Sequence, residues 1–227
     1  MKKIISIMML MIISLSVHAN DIYINQSGAT LDLDVLQDGQ NNTIGSSSTA
    51  SSVIGATTNL SITQIGDSNV MTFDVNGATY TGTFSVTGNW NNIDFNCDSQ
   101  GTNSSCGTAT ASIVWVGSSN DIDIDIGETS SATGATVSIT GASGSDSNVV
   151  LGTIDGNSAI LTLSINGDTN NFLVDIDGDG DSVGHTYVHT HTGSIADVDI
   201  TQSGIYDNMI TLTTSGDNHD IDIIQRD

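Results

Sequence analysis

The sequence predicts an all-β protein, a β-solenoid of stacked two-strand coils carrying a repeated turn motif. Three observations predict it. Apolar residues recur at every second position over short segments, the period of a strand with one buried face. A Gly-x-x-Asn turn recurs at Gly39/Asn42, Gly66/Asn69, Gly88/Asn91, Gly117/Asn120 and Gly167/Asn170, each preceded by alternation and mostly followed by it. The composition suits short strands and tight turns, with 24 Gly, no Pro and an apolar share made largely of Ile, Val and Leu. Hydrophobic residues are 37% and aromatics 4% of the 227 residues, thin for one conventional core. A strand–turn–strand unit is marginal alone in water, so the units must stack on one another.

Residues 1–19 form a separate segment. Lys2 and Lys3 precede an apolar run from Ile4 to Leu15, and Val17-His18-Ala19 offers small residues for cleavage. This pattern is expected to be a secretory signal peptide removed before Asn20. Residues 20–227 then form one solenoid domain with variable turn insertions, and no later stretch is apolar enough to span a bilayer. The expected location is outside the cell. Without the signal, Arg226 is the only basic residue against 26 acids, a net charge of −25. That balance excludes nucleic acid as a partner, since phosphate contacts need lysine and arginine.

The mature chain opens with Ile22, Ile24, Gln26 and Gly28, then Leu31, Leu33, Val35, Gln37, Gly39 and Asn42. The most regular unit spans residues 60–75, where Leu60, Ile62 and Gln64 face one way, Gly66 to Asn69 turns, and Met71, Phe73 and Val75 return. Later copies run through Phe84, Val86 and Gly88, then Ile113, Trp115 and Gly117. A looser copy at Val137, Ile139 and Gly141 follows, and a regular one at Leu163, Ile165 and Gly167. Val198, Ile200, Gln202 and Gly204 restore the glutamine form, and Ile221, Ile223 and Gln225 close the chain. Gln26, Gln64 and Gln202 are expected to form amide ladders along the stacking axis, which would satisfy buried amides.

Cys97 and Cys106, the two cysteines, flank eight residues and are expected to form one disulfide pinning an inserted loop. Asp175, Asp177, Asp179 and Asp181 alternate like the first half of a calcium loop, but Thr186 stands where the closing glutamate belongs. An acidic turn is the expectation, with weak calcium binding as the alternative and no other cofactor. His185, His189 and His191 cluster in one insertion; His189 and His191 would share a face if extended, as a zinc or copper pair does, but no third ligand follows from spacing and solvent exposure is the expectation. Asp121/Asp123/Asp125 and Asp220/Asp222 alternate with isoleucines, acidic outside and apolar inside, and their charge would oppose premature aggregation. No nucleophile elbow, zinc-protease helix or phosphate loop is present, and Glu128 is the single glutamate. No enzymatic activity is expected.

Alternating apolar residues followed by Gln-x-Gly-x-x-Asn resemble the curlin repeat of bacterial curli fibres. Ile62, Gln64, Gly66 and Asn69 match its spacing, Ile24, Gln26 and Gly28 match its start, and Val198, Ile200, Gln202 and Gly204 match near the C-terminus. Gln26 and Gln37 keep its intra-repeat interval, whereas residues 80–181 lack its glutamines. The resemblance implies an extracellular functional-amyloid subunit, secreted unfolded through a dedicated outer-membrane channel, polymerising with itself and partnered by a nucleator subunit. Its role would lie in biofilm matrix or surface attachment. A monomeric, cation-binding surface adhesin with the same coil is the competing expectation.

Overall fold

A computed structural model describes residues 21–39, 42–45, 50–66, 68–97, 106–127, 134–156, 158–177, 184–204 and 208–226. The expected signal peptide lies outside the described residues. Those described contain no helix and form sixteen strands. In order they are β1 (Asp21–Ile22), β2 (Asn25–Asp38), β3 (Thr43–Ile44), β4 (Ser51–Ile65), β5 (Val70–Thr87) and β6 (Asn92–Cys97). Next come β7 (Cys106–Val116), β8 (Asp121–Ile126), β9 (Gly134–Gly141), β10 (Val149–Asp155) and β11 (Ala159–Asn166). The last are β12 (Asn170–Asp177), β13 (Thr186–Thr192), β14 (Ala196–Ser203), β15 (Met209–Ser215) and β16 (Asp220–Arg226).

Period-two alternation leaves each segment with one apolar face, and stacked parallel coils bury it here. Each segment pairs parallel to the segment one coil earlier, and two such rows face each other. The pairing is parallel throughout, and β5 shows how a coil is made. Its residues Val70 to Val75 pair with β6 in the first row, and Gly77 to Thr87 pair with β7 in the second. β2 and β4 bend from row to row in the same way. The register is unbroken from end to end. One first-row column reads Ile22, Ile44, Met71, Ile93, Ile122, Val150, Phe172, Val198, Ile221. A second-row column reads Val35, Ile62, Phe84, Ile113, Ile139, Leu163, His189, Leu212. The expected β-solenoid is the observed fold.

The core lies between the rows, where ring centroids of Tyr80 and Phe95 stack at 4.9 Å and Phe84 meets Phe95 at 5.9 Å. Columns tolerate unequal residues when neighbouring rungs compensate in volume. Trp115 is fully buried and registers beside Gly141. A Cβ on Gly141 would lie 2.6 Å from the indole, so the missing side chain is the space the ring fills.

The two corners of the coil differ. The corner from second row to first is the four-residue Gly-x-x-Asn turn, whose own length is constant, although two extra residues precede the Ser145–Asn148 turn after β9. Its third residue is left-handed in coil after coil, with φ from 56° to 64° at Ser68, Trp90, Ser119, Ser147, Thr169, Ile195 and Asn218. At Gly193 (φ 143°) a Cβ would also land on the Gly167 carbonyl of the coil before. Most length variation goes to the opposite corner, between β6 and β7, β8 and β9, β12 and β13, and β14 and β15. One more insertion, between β3 and β4, interrupts a first-row rung.

The cysteines serve that variable corner. Cys97 registers with Val75 and Cys106 with Gly77, so two positions that are two residues apart in one coil flank the insertion in the next. Cys97 is buried and disulfide-bonded, and Cys106 is the one other cysteine in the chain. Closing a loop of this length contributes about 2–3 kcal/mol.

Two stability outcomes follow from this packing. Gly141→Ala is expected to cost about 1–3 kcal/mol through overpacking, read as a lowered denaturant midpoint, and Trp115→Phe in the same chain should recover part of the loss. Ile195 is β-branched, 54% exposed and held at φ 59°. Ile195→Asn should therefore raise stability by about 1 kcal/mol, because asparagine visits this conformation without the same penalty.

Candidate functional site

The repeat-motif asparagines are buried and form a spine along the fixed corner. Each side chain works in two directions. Asn69 Oδ1 accepts the Asn42 N–H at 3.1 Å, Asn91 Oδ1 accepts that of Asn69 at 3.0 Å, and Asn120 Oδ1 that of Asn91 at 3.0 Å. The amide nitrogens of Asn69, Asn91, Asn120 and Asn170 each donate to the carbonyl of the turn glycine three residues earlier, at 2.8–3.0 Å. One arm therefore closes its own turn, and the other ties it to the adjacent coil. The spine includes Asn148, which sequence reasoning missed. Asn148 accepts the Asn120 N–H at 2.9 Å and gives its own N–H to Asn170 Oδ1 at 3.0 Å. Its turn opens with Ser145 in place of glycine, so the signal was Ser-x-x-Asn at the right distance from Val149.

The glutamines do not form one ladder. Gln26, Gln202 and Gln225 share a first-row column with Val53, Val75, Cys97, Ile126, Ile154 and Ile176 between them. Gln37 and Gln64 sit in the second row. The expected pairing of Gln26, Gln64 and Gln202 thus resolves into two separate bonds, Gln64 Nε2 to Gln37 Oε1 at 2.7 Å and Gln225 Nε2 to Gln202 Oε1 at 3.3 Å. The buried Gln64 Oε1 has no hydrogen-bond partner because Val86 holds the next rung. The turn glycines divide likewise. Gly39, Gly66, Gly88, Gly117 and Gly167 hold the fixed corner, whereas Gly28 registers with Gly55 at the variable one. Gly204 also lies there, its N–H bonded to the Arg226 carbonyl at 3.3 Å.

The histidine expectation is overturned. His185, His189 and His191 are fully buried, the last two inside β13. Tyr187, His189 and His191 point inward by the same period that buries Leu161, Leu163 and Ile165 one coil earlier. His185 Nδ1 accepts the Ala159 N–H at 3.1 Å. His191 Nε2 lies 2.8 Å from the Gly167 carbonyl, which requires the proton on that nitrogen. The asparagine spine ends at Asn170, since the next rung carries Ala196, and the imidazole is a second donor to the carbonyl that Asn170 Nδ2 already serves. His189 Nδ1 meets Tyr187 Oη at 3.1 Å, and its ring stands edge-on to Phe172 at 4.5 Å. Burial pulls the His189 ring down to about 3, with the neighbouring His191 adding to the effect. Burial also lowers His191.

Asp175 and Asp177 are exposed residues of β12, not parts of a turn, and the Ser203 hydroxyl donates to Asp177 at 2.6 Å. Asp179 and Asp181 lie outside the described residues. Among those described, no group of three metal-capable side chains converges. The acidic strands do stack carboxylates: Asp94 registers with Asp123, Asp197 with Asp220 and Asp199 with Asp222. Partial burial, and next neighbouring carboxylates (Asp123 on the adjacent strand for Asp94, Asp121 on its own strand for Asp123), raise both above the ordinary carboxylate value.

At the two ends, β1 with β2 and β15 with β16 each have one lateral edge without a partner among the described residues. Ile221, Ile223 and Ile224 are 37%, 45% and 45% exposed on the terminal strand. Searches against protein-family models, curated proteins and solved structures found no match for this chain.

The buried histidines give stability a pH dependence. An unfolded histidine titrates near 6.5, whereas folded His189 takes its proton only near 3. Between those values the unfolded chain binds a proton that the folded chain refuses. Stability is therefore full above about pH 6.5 and falls on acidification, by up to about 1.4 kcal/mol per pH unit for one such group. The raised carboxylates act oppositely, in the acid range just above the ordinary carboxylate value. Denaturant melts at pH 7 and pH 5 should show the loss, and His189→Leu, which matches Leu163 and Leu212 of its column, should reduce it.

Proposed function

We propose that this chain is an exported structural subunit that assembles end to end into curli-like amyloid fibres for matrix or surface attachment. The observation that carries the reading is the chemistry of the two ends. The first-row column that begins at Gln26 finishes at Gln225, and the column that begins at Ile22 finishes at Ile221. A second copy seated on β16 would bring Ile22 over Ile221 and Gln26 over Gln225, extending the same parallel ladder with the same amide pair. Open parallel edges of high β-propensity are templates for another strand. A secretion channel and a nucleating subunit are the partners such a life requires.

One feature favours the second reading, a monomeric acidic adhesin. β16 stands one rung beyond β15, so a copy seated on β16 leaves the second row open by one strand. The stacked carboxylates of the first row would then bind cations such as calcium rather than serve a fibre.

Diluting the chain from Asn20 onward out of denaturant into salt separates the two. Ordered fibres with an axial reflection near 4.7–4.8 Å are the expected result. A folded monomer that stays soluble for days would overturn assembly, and calcium titration of that monomer would then test the adhesin.

A further inference from the structure

The two outer faces of the solenoid are chemically unlike, and the sequence periodicity makes them so. The outward residues of the first row carry the acids of β6, β8, β12, β14 and β16. The outward residues of the second row carry none after the first rung, where Asp32, Asp34 and Asp38 stand. From β4 to β15 the described outward positions of that row are mostly threonine and serine, with two asparagines, Gly134 and scattered apolar residues, and no charge. One registered column runs from Asn59 through Thr81, Thr110, Thr136, Ile160 and Thr186 to Met209. In a chain of formal net charge −23, an uncharged face of this length is a strong segregation.

The same face exposes aliphatic side chains. Ile65, Val114, Val116 and Ile160 are 40–45% exposed, and all point outward from the second row. High β-propensity, absence of charge and absence of proline are the properties of sheets that pack face to face.

We propose that the outer face of the second row is a lateral interface that seats the same face of a second copy of this chain. Charge selects the occupant. Face-to-face packing at about 10 Å between sheets puts the two acidic first rows on the outside of a four-sheet sandwich, roughly 30 Å apart. That exceeds the screening length of about 8 Å at physiological salt several times over. Any pairing through the first row would instead press stacked carboxylates together. Area agrees: seven rungs at about 4.8 Å, each about eight residues long, give roughly 900 Å² per copy, the size of a standard stable interface. Charge also sets the orientation. A two-fold, antiparallel pair lays Asp32, Asp34 and Asp38 of one copy over the uncharged Thr211, Thr213 and Ser215 end of the other, whereas a parallel pair would set aspartate against aspartate.

This contact is lateral and does not depend on whether copies also stack end to end. The experiment compares the chain from Asn20 onward with two charge-matched variants. Thr110→Asp/Thr190→Asp puts two charges on the second-row face, and Ile54→Asp/Leu173→Asp puts two on the first. Sedimentation at physiological salt reads association in solution, and microscopy reads the width of any fibre. The expected result is a dimer, or paired protofilaments where fibres form. The Thr110→Asp/Thr190→Asp chain should dissociate at least tenfold more readily and give single protofilaments, with unchanged circular dichroism. The first-row variant should associate as the parent does. A monomeric parent with single protofilaments overturns the lateral contact while leaving end-to-end assembly standing. Equal association in the parent and the Thr110→Asp/Thr190→Asp chain overturns it too. Dimers without fibres support the lateral contact and count against end-to-end assembly.

Discussion

The structure depends on one constraint: every coil must be hydrogen-bonded to the coils on either side, because no coil can bury its own apolar face. Parallel pairing in unbroken register meets this along the strands, and the asparagine spine meets it at a corner. There the backbone reverses, and its polar groups would otherwise be left in a dry interior. An amide side chain that accepts from the neighbouring turn while donating within its own satisfies both at once. The price is a fixed turn length. An extra residue between Gly117 and Asn120 would move the amide off its neighbours at both Gly117 and Asn91. Among the described residues the opposite corner shows no such spine, and it is where most of the length variation falls and where Cys97 is tied down.

Much of the fold was legible because its signals are local. Period two and Gly-x-x-Asn give the strands, the fixed corner and the inward faces with no knowledge of pairing. What was not legible depends on row parity, a property of the whole coil. Gln26 and Gln64 carry the same local motif, yet one lies in the first row and the other in the second, because the chain crosses a corner between motif copies. Only the register separates them. The histidines were misread for a different reason. Polarity suggested water, while the alternation Tyr187, His189, His191 against Val188, Thr190, Thr192 already placed the rings inside, and periodicity won. Asn148 was hidden by a serine where a glycine was expected.

The inner columns show how far the motif can decay while the coil survives. At the second-row position of Gln37 and Gln64, successive rungs carry Val86, Trp115, Gly141, Ile165, His191 and Thr214. An amide ladder has been replaced by volume exchange, a large ring beside a missing side chain. Close packing responds to the total volume of adjacent rungs, so neighbouring substitutions can compensate where isolated ones cannot. The asparagine position is less tolerant. Polar groups must be answered in kind: the spine stops where Ala196 offers no amide oxygen, while the Gly167 carbonyl takes donors from both Asn170 and the His191 imidazole of the next strand.

This decay gives each rung an identity. A solenoid of identical repeats can slip by one coil with little cost, since each column would still find a like residue. Here a slip of one coil would bring Trp115 against a side chain instead of Gly141 and would separate His191 from Asn170. Alternative registers are thereby raised in energy relative to the native one, which is what a single well-defined fold requires. The ends lack that individuality. Ile22, Ile24 and Gln26 at one end and Ile221, Ile223 and Gln225 at the other are the plain form of the motif. A chain specified rung by rung in its interior and generic at its edges can fold uniquely by itself and still present the pattern that another copy of itself would extend.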